Sequence, residues 1–277
     1  MQSQLDKGRA FRGLHEREGA FVIPNPWDVG SARLLAGLGF EALATTSAGF
    51  ARSIGKTDYR TSRDEVLEHA KSLCASVDVP ISADLENGFG DAPERAAETI
   101  RLAAAAGLVG GSIEDSTGRP EAPQYELSHA IERVRAAVEA ARAQPFPFTL
   151  TARAENFFTG KPDLADTIRR LQGYQEAGAD VLYAPLLPTA GDIRTVIASV
   201  DRPLNVLLGP RELLTVGELA ALGVKRISLG SVLASVASGA LLRAAREMLA
   251  HGTFGFARDA ARGTEIDELI ARGAGRP

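Results

Sequence analysis

The sequence predicts an α/β fold, a (β/α)8 TIM barrel, on three observations. Short β-prone segments recur eight times, near residues 21–24, 42–46, 80–84, 111–114, 148–153, 181–184, 204–208 and 226–229. Helix-sized segments separate most of them, and eight β-α units in about 230 residues match the size of such a barrel. The strands are apolar throughout rather than alternating, which is typical of parallel strands covered on both faces.

The predicted helices that precede the strands end in a recurring sequence pattern. An alanine-rich stretch runs into a glycine and then into a strand in four segments, residues 34–46, 103–115, 174–185 and 220–230. Glycine just past a helix accommodates the left-handed backbone that closes the helix. The repeat therefore predicts buried strands that follow capped amphipathic helices.

An open, doubly wound sheet is the alternative to a barrel. That fold usually carries a glycine-rich phosphate-binding turn after its first strand. Here the corresponding segment, residues 25–33, reads NPWDVGSAR. Residues 20–250 contain no linker or low-complexity tract, so we expect one domain over residues 1–277, with a helical lead-in at 1–19 and a tail at 253–277.

The C-terminal part continues past the eighth predicted strand. Residues 231–252 form a strongly apolar predicted helix, and residues 263–273 form another. A helix that is apolar around most of its circumference is usually buried on more than one side. Two interpretations stay open: an eighth barrel helix followed by a packing tail, or an arm exchanged with a neighbouring subunit.

Composition excludes several functional classes. The formal net charge of -4 gives no basic surface for nucleic acid. The apolar stretches are shorter than the ~20 residues of a membrane span, and the polar N-terminus lacks the apolar centre of a signal peptide. A single cysteine cannot form an internal disulfide, so we expect a cytoplasmic protein that acts on small molecules.

Function in such a barrel lies where the strands end, and acidic residues dominate those positions. The predicted strand ends carry Asp84, Glu86, Glu114, Asp115 and Glu155, together with one arginine, Arg153. Oxygen ligands without histidine or cysteine favour Mg2+, with Mn2+ as a substitute. Arg153 requires an anion, either Glu155, another acid at the strand ends or a substrate carboxylate.

Other candidate residues receive structural interpretations. No lysine and no histidine ends a strand, which argues against Schiff-base aldolases and triad hydrolases. Cys74 lies on an apolar helix face, so we expect it in the core rather than as a nucleophile. We expect Asp91 to cap the helix that begins after it.

Six segments of the sequence together resemble the isocitrate lyase/phosphoenolpyruvate mutase superfamily over residues 15–250. The similar segments are NPWDVGSARLLAGLGFEAL, TTSAGFARSIGKTD, PISADLENGFG, GGSIED, TARAEN and LGVKRISLGS. Within the superfamily the sequence looks closest to the phosphoenolpyruvate mutase-like or carboxyphosphonoenolpyruvate mutase-like branch. The resemblance implies an Mg2+-dependent enzyme that binds a small 2-oxo acid and cleaves a C–C or C–P bond through a metal-stabilised enolate.

The resemblance also implies residue roles. Asp84 matches the direct metal ligand, and the acids that hold metal-bound waters are matched by Asp58, Glu86 and Glu114. The segment Thr46, Ser47 and Ala48 matches the loop that grips the 2-oxo acid carboxylate, and Arg153 matches the arginine that clamps the substrate. Asn205 lies near a position that lines the pocket in some lyases. Arg153, Glu114 and Asp58 are the implied catalytic residues.

The sequence departs from the family in the loop after the fourth strand. The C–C lyases carry Lys-Lys/Arg-Cys-Gly-His there, whereas residues 114–132 contain neither cysteine nor lysine, and the Lys-Asn-Ser sequence of the mutase is also absent. The candidates left on this loop are Ser116, Arg119, Gln124 and Tyr125. Alternatives therefore stay open: hydrolysis or decarboxylation of phosphonopyruvate or oxaloacetate, 2-oxo acid binding without turnover, or an unrelated metal-dependent aldolase.

Family members are commonly tetramers that exchange their eighth helix. The resemblance therefore implies a homo-oligomer, a dimer or a tetramer. Charge and hydropathy predict no nucleic-acid or membrane partner.

Overall fold

The computed structural model describes residues 2–207 and 214–275. Eight strands form one parallel sheet: β1 (Phe21–Ile23), β2 (Leu43–Ala44), β3 (Ile81–Asp84), β4 (Gly110–Glu114), β5 (Thr149–Arg153), β6 (Val181–Tyr183), β7 (Leu204–Leu207) and β8 (Arg226–Ser228). Their order is β1-β8-β7-β6-β5-β4-β3-β2. The predicted barrel and its eight strands are confirmed, and residue 208 at the predicted end of β7 lies outside the described residues.

The two ends of the sheet meet, and the barrel is nearly closed. The Ala44 amide on β2 donates to the Pro24 carbonyl just after β1, at 3.1 Å. The side-chain amide of Asn25 donates to the Thr45 carbonyl, at 3.0 Å. These two bonds replace a regular ladder between β1 and β2.

Eleven α-helices occur within the described residues. They are α1 (Gln4–Glu16), α2 (Val29–Gly37), α3 (Ser47–Ser53), α4 (Arg63–Ser76), α5 (Pro93–Ala105), α6 (Leu127–Arg142), α7 (Leu164–Glu176), α8 (Ala190–Ala198), α9 (Val216–Leu222), α10 (Val232–His251) and α11 (Gly263–Gly273). The four predicted helix-ending glycines all have left-handed backbones: Gly39, Gly107, Gly178 and Gly223, with φ of 99°, 103°, 103° and 97°. A residue with a side chain would be strained there.

Helix α1 closes the N-terminal mouth of the barrel. Phe11 is fully buried in a small cluster that includes Phe21 and Ile23 of β1. The His15 ring lies edge-on to Phe11 and Phe21, with centroids 4.8 and 5.0 Å away. The predicted N-terminal helix therefore covers the end of the barrel where the strands begin. The opposite end, where the strands finish, is open.

The two C-terminal helices behave differently. Helix α11 packs on α2 so closely that a Cβ on Gly273 would lie 1.9 Å from the Arg33 carbonyl oxygen. Helix α10 buries only Ala234, and it exposes Val236, Leu241 and Leu249 at 62%, 70% and 89%. The tail therefore packs on its own chain, whereas α10 presents an uncovered apolar surface. Among the described helices, none combines the length and the apolar character that a bilayer crossing requires.

The expectation that Asp91 caps α5 is wrong. Ala92 occupies the N-cap position without a side-chain hydrogen bond. The two oxygens of the Asp91 carboxylate instead accept from Arg119 Nη1, at 3.0 and 2.9 Å, and one of them accepts from the Tyr125 hydroxyl at 2.6 Å. The Arg119 guanidinium and the Tyr125 hydroxyl together offer the carboxylate more donors than a capping amide would, and one of them is charged, so the carboxylate turns to them. Cys74 packs against the main core, partly exposed, and burial raises its pKa to about 12.

Candidate active site

A cavity of about 240 Å³ opens at the C-terminal ends of the strands. Seven of the residues proposed for the site line it: Thr46, Ser47, Ala48, Asp58, Asp84, Arg153 and Asn205. Glu114 is buried beside it and joins it through Arg153. Glu86 faces an adjacent polar cavity between the β3–α5 and β4–α6 connections. The strand order of the barrel thus brings distant sequence segments to one mouth.

Arg153, the last residue of β5, is the centre of the charged cluster. Its Nη1 lies 3.0 Å from Asp84 Oδ1 and 3.2 Å from Glu114 Oε2, and its Nε lies 2.8 Å from Glu155 Oε1. The sheet register explains this, because Glu114 pairs directly with Arg153 across β4 and β5. Burial lowers the pKa of Arg153, but Glu155, Glu114 and Asp84 outweigh burial and hold it well above its ordinary value.

Two tyrosines complete the cluster around Arg153. The guanidinium lies over the Tyr183 ring, 4.9 Å from its centroid, in a cation–π contact. The Tyr59 hydroxyl donates to Glu114 Oε1 at 2.5 Å, so both oxygens of that buried carboxylate are engaged. Tyr59 also lies 3.5 Å from the Ser116 hydroxyl and thereby links the α3–α4 connection to the loop after β4.

The acidic side chains near Arg153 carry more negative charge than this one arginine neutralises. Burial, with the charges of Asp84 and Asp58, raises the pKa of Glu86 to about 8. Burial and the Asp84 charge also raise the pKa of Asp58. Burial raises the pKa of Glu114 well above its usual range, against the lowering effect of Arg153. Without a further cation the charged forms of these acids are disfavoured.

The residues present fit a hard divalent cation. Asp58 Oδ1 is buried and has no hydrogen-bond partner in the described part of the chain. All of the available donors are carboxylate oxygens, which suit Mg2+ or Mn2+. Within residues 2–207 and 214–275 no three acidic, histidine or cysteine side chains converge as a ready-made cage. Mg2+ commonly binds one or two carboxylates and keeps several waters, which is consistent with this arrangement.

Residues 46–48 form the start of helix α3 rather than a free loop. Thr46 is the N-cap, and its hydroxyl accepts from the Gly49 amide at 3.3 Å. The Ser47 amide points toward Asp84 Oδ2, at 3.4 Å. Thr46, Ser47 and Ala48 therefore line the cavity beside the acidic cluster, and the Ser47 amide donates to Asp84.

The four candidates on the β4–α6 loop do not line the cavity. Arg119 and Tyr125 hold Asp91, and Gln124 Nε2 lies 3.4 Å from Asp115 Oδ1. Ser116 is next to Tyr59. In this conformation the loop packs against the β3–α5 connection, and it contributes no proton-transfer group to the cavity.

Three residues at this site were not predicted from the sequence. Tyr59 and Tyr183 are aromatic residues without a motif, and their roles follow only from their tertiary contacts. Arg226 begins β8 and lines the cavity from below. The signal for Arg226 was present, because residues 226–228 read Arg-Ile-Ser, a polar–apolar–polar alternation that turns positions 226 and 228 to the same face.

Comparisons with known proteins agree with this architecture. A solved structure from Burkholderia cenocepacia J2315, described as a lyase or mutase, is 58% identical, superposes with a TM-score of 0.94, and the match covers 97% of this chain and 96% of that one. The 2-methylisocitrate lyase of Escherichia coli K12 is 29% identical, with 76% of this chain and 74% of that protein covered. The oxaloacetate decarboxylase of Chromohalobacter salexigens is 29% identical, with coverages of 80% and 78%.

These relatives are named or described as a 2-methylisocitrate lyase, an oxaloacetate decarboxylase and a lyase or mutase. The family model described as phosphoenolpyruvate phosphomutase matches residues 11–249, nearly the whole barrel and most of α10. The chain belongs to this phosphoenolpyruvate phosphomutase family, within the isocitrate lyase/phosphoenolpyruvate mutase superfamily.

Proposed function

We propose that the chain is an Mg2+-dependent enzyme that binds a small 2-oxo acid and cleaves the C–C or C–P bond at C3. The supporting observation is the convergence of Asp84 and Glu114 on Arg153, beside the unpartnered buried oxygen of Asp58. An acid-rich pocket of this kind, around a single guanidinium, suits a divalent ion together with an anionic ligand.

The acidic residues would bind the metal in two ways. Asp84 would hold the metal directly, while Asp58, Glu86 and Glu114 would hold it through waters, with Mn2+ able to replace Mg2+. When bound, the metal supplies Lewis-acid stabilisation of the negative charge that cleavage leaves on the substrate's keto oxygen.

The substrate is oriented by groups of the chain itself. Arg153 is held by three carboxylates and by the Tyr183 ring, so its position is fixed before a ligand arrives. Thr46, Ser47 and Ala48, at the start of α3, line the same cavity and would receive a carboxylate. A pre-positioned site of this kind lowers the barrier by holding the reacting bond in one orientation.

The loop after β4 favours a second candidate reaction. Residues 114–132 contain no cysteine or lysine that could handle the proton of a C–C lyase. Hydrolysis or decarboxylation of oxaloacetate or phosphonopyruvate needs no such side chain on this loop, because water can attack in the hydrolysis and can protonate the enolate that remains after carbon dioxide leaves. One relative is an oxaloacetate decarboxylase.

A substrate screen separates these reactions. The purified chain is incubated with Mg2+ and, in turn, oxaloacetate, phosphonopyruvate, 2-methylisocitrate and isocitrate, and the products are resolved chromatographically. Succinate with pyruvate or glyoxylate indicates a lyase. Pyruvate with phosphate or carbon dioxide, or oxalate with acetate, indicates the second candidate. No product and no Mg2+-dependent binding of oxalate would contradict the proposal, whereas binding without any product would indicate a non-catalytic 2-oxo acid protein.

We also propose that α10 is covered by a second copy of the chain in a dimer or tetramer. Its exposed apolar side chains would otherwise face water along a 20-residue helix. Analytical ultracentrifugation would test this: a dimer or tetramer is expected, and a monomer at micromolar concentration would contradict it.

A further inference from the structure

The floor of the cavity contains a second buried arginine. Arg226 is the first residue of β8, is 5% exposed, and lines the same cavity as Arg153. Three serine hydroxyls line the cavity with it, those of Ser82, Ser112 and Ser228. This lower part is polar, yet it contains no acidic side chain among the residues that line the cavity there.

Within residues 2–207 and 214–275 the hydrogen-bond partners of Arg226 are all neutral. Its Nε donates to Asn205 Oδ1 at 2.8 Å, and its Nη2 donates to Thr151 Oγ1 at 3.0 Å. Its Nη1 lies 3.5 Å from His15 Nε2. The other nitrogen of His15, Nδ1, lies 2.8 Å from the Phe11 carbonyl and must donate, which leaves Nε2 as an acceptor. Burial lowers the pKa of His15 to about 3, so this ring is neutral at pH 7.

The charge of Arg226 is therefore not balanced within the described part of the chain. Burial, with a contribution from Arg153, lowers its pKa to about 10, which still leaves it protonated at pH 7. A guanidinium has five N–H donors, and three are used by these neutral partners. Burying a charge without a counter-ion is costly, and the cost falls when a bound anion supplies one.

We propose that Arg226 binds a second carboxylate of the substrate, so that the cavity selects 2-oxo dicarboxylates over 2-oxo monocarboxylates. This inference rests on the proposed function, because the first carboxylate and the keto group are taken to lie at the acidic mouth with Arg153. A single guanidinium among hydroxyls balances the one charge of a carboxylate, and its planar fork matches that group. A dianionic phosphonate would require a second cation at the floor.

Calorimetric titrations with saturating Mg2+ test the inference. The probes are two matched pairs: oxaloacetate against 2-oxobutanoate, and 2-oxoglutarate against 2-oxopentanoate. We expect the wild-type chain to bind at least one dicarboxylate about tenfold or more tightly than its uncharged match. Arg226→Met should weaken dicarboxylate binding about 10- to 100-fold and change monocarboxylate binding less than about threefold.

Arg226 is buried, so its replacement can destabilise the fold as well as remove a ligand contact. A second variant separates these two effects. Asn205→Asp keeps the arginine and places a carboxylate on its Nε, so the chain neutralises its own cation. We expect this variant to keep or raise the melting temperature and to lose the dicarboxylate preference.

The outcomes separate this inference from the proposed function. If no member of either pair binds the wild-type chain with Mg2+, the proposed function fails, and this inference fails with it. If both members bind equally, or if both weaken together in the variants, the proposed function stands and Arg226 has only a structural role.

Discussion

Arg153 and Arg226 are two buried arginines that line one cavity, yet their surroundings are opposite. Arg153 is in contact with the carboxylates of Asp84, Glu114 and Glu155. Arg226 has three neutral acceptors, one of them the His15 ring. The mouth of the cavity therefore carries excess negative charge, and its floor carries excess positive charge. A divalent ion corrects the first imbalance, and an anionic group of the ligand corrects the second.

The contrast shows that two buried guanidiniums can meet a ligand in different ways. Where the chain supplies the counter-charges, as at Arg153, the arginine is held in place by the acids and orients a ligand from a fixed position. Where the counter-charge is missing, as at Arg226, the ligand itself would supply it. The two ends together would orient an elongated anion along the cavity.

The largest expected effect is at the acidic mouth. Asp84→Asn keeps the size of the side chain and removes one charge, and we expect Mg2+-dependent oxalate binding and turnover to fall at least about 1,000-fold, since this residue is the proposed direct ligand. Titration calorimetry and product analysis measure it. Asp91→Asn, which changes an acid bound to Arg119 and Tyr125 outside the cavity, is the matched control and should bind Mg2+ and oxalate normally. Equal activity of the Asp84 variant and the wild-type chain would refute the metal site.

The second-largest expected effect is at the planar guanidinium group of Arg153. Arg153→Lys keeps one positive charge but cannot contact Asp84 and Glu155 in the same geometry. We expect oxalate to bind roughly 100-fold more weakly while Mg2+ binding changes little. Arg142→Lys, which alters a surface pair with Asp180, controls for the substitution itself. Unchanged oxalate affinity in the Arg153 variant would show that this arginine does not touch the ligand.

A third prediction concerns the floor and the pH dependence of stability. The pKa of His15 is about 3 in the folded chain and near 6.5 when unfolded, so below pH 6.5 the unfolded chain binds the extra proton. The neutral His15 ring therefore contributes to the free energy of unfolding, and this contribution is complete above pH 6.5. It decreases as the pH falls toward 3, by about 2 kcal/mol at pH 5.

The test compares His15→Gln with the wild-type chain in urea denaturation at pH 8 and pH 5. A glutamine side chain at this position could still donate to the Phe11 carbonyl and accept from Arg226 without titrating. We expect the variant to lose about 2 kcal/mol less than the wild-type chain between these pH values. Identical losses would mean that His15 is protonated in the fold and that Arg226 has a charged neighbour.

A fourth prediction, of similar size, concerns Tyr59. Tyr59→Phe removes the hydroxyl that donates to Glu114 and leaves one oxygen of a buried carboxylate unsatisfied. We expect a loss of about 1–3 kcal/mol in the free energy of unfolding without metal, measured by urea denaturation. Added Mg2+ should reduce this loss if Glu114 holds metal-bound water. A loss that Mg2+ does not change would separate Glu114 from the metal.

Much of the fold could be predicted from the sequence because its signals are local. The glycine after each alanine-rich helix sets the backbone at a fixed place, so the positions of the strands follow. The acids at the mouth could also be predicted, since residues at strand ends converge in any parallel barrel. Asp84, Glu114 and Arg153 meet for that reason.

The remaining features depend on tertiary contacts that local patterns do not encode. Asp91 has the sequence context of a helix cap, but Arg119 and Tyr125 from a later loop bind its carboxylate instead. The apolar residues of α10 have the pattern of a core helix, although they are exposed in the single chain. Arg226 is an ordinary strand-starting residue until the neutral character of its partners is known.

The most direct test of the central claim is a crystal structure of the chain soaked with Mn2+ and oxalate, with the metal located by anomalous scattering. We expect one Mn2+ bound directly by Asp84, with waters toward Asp58, Glu86 and Glu114, and oxalate between the metal and Arg153. Metal bound elsewhere, or an acidic cluster that stays bare at saturating Mn2+ and oxalate, would contradict it.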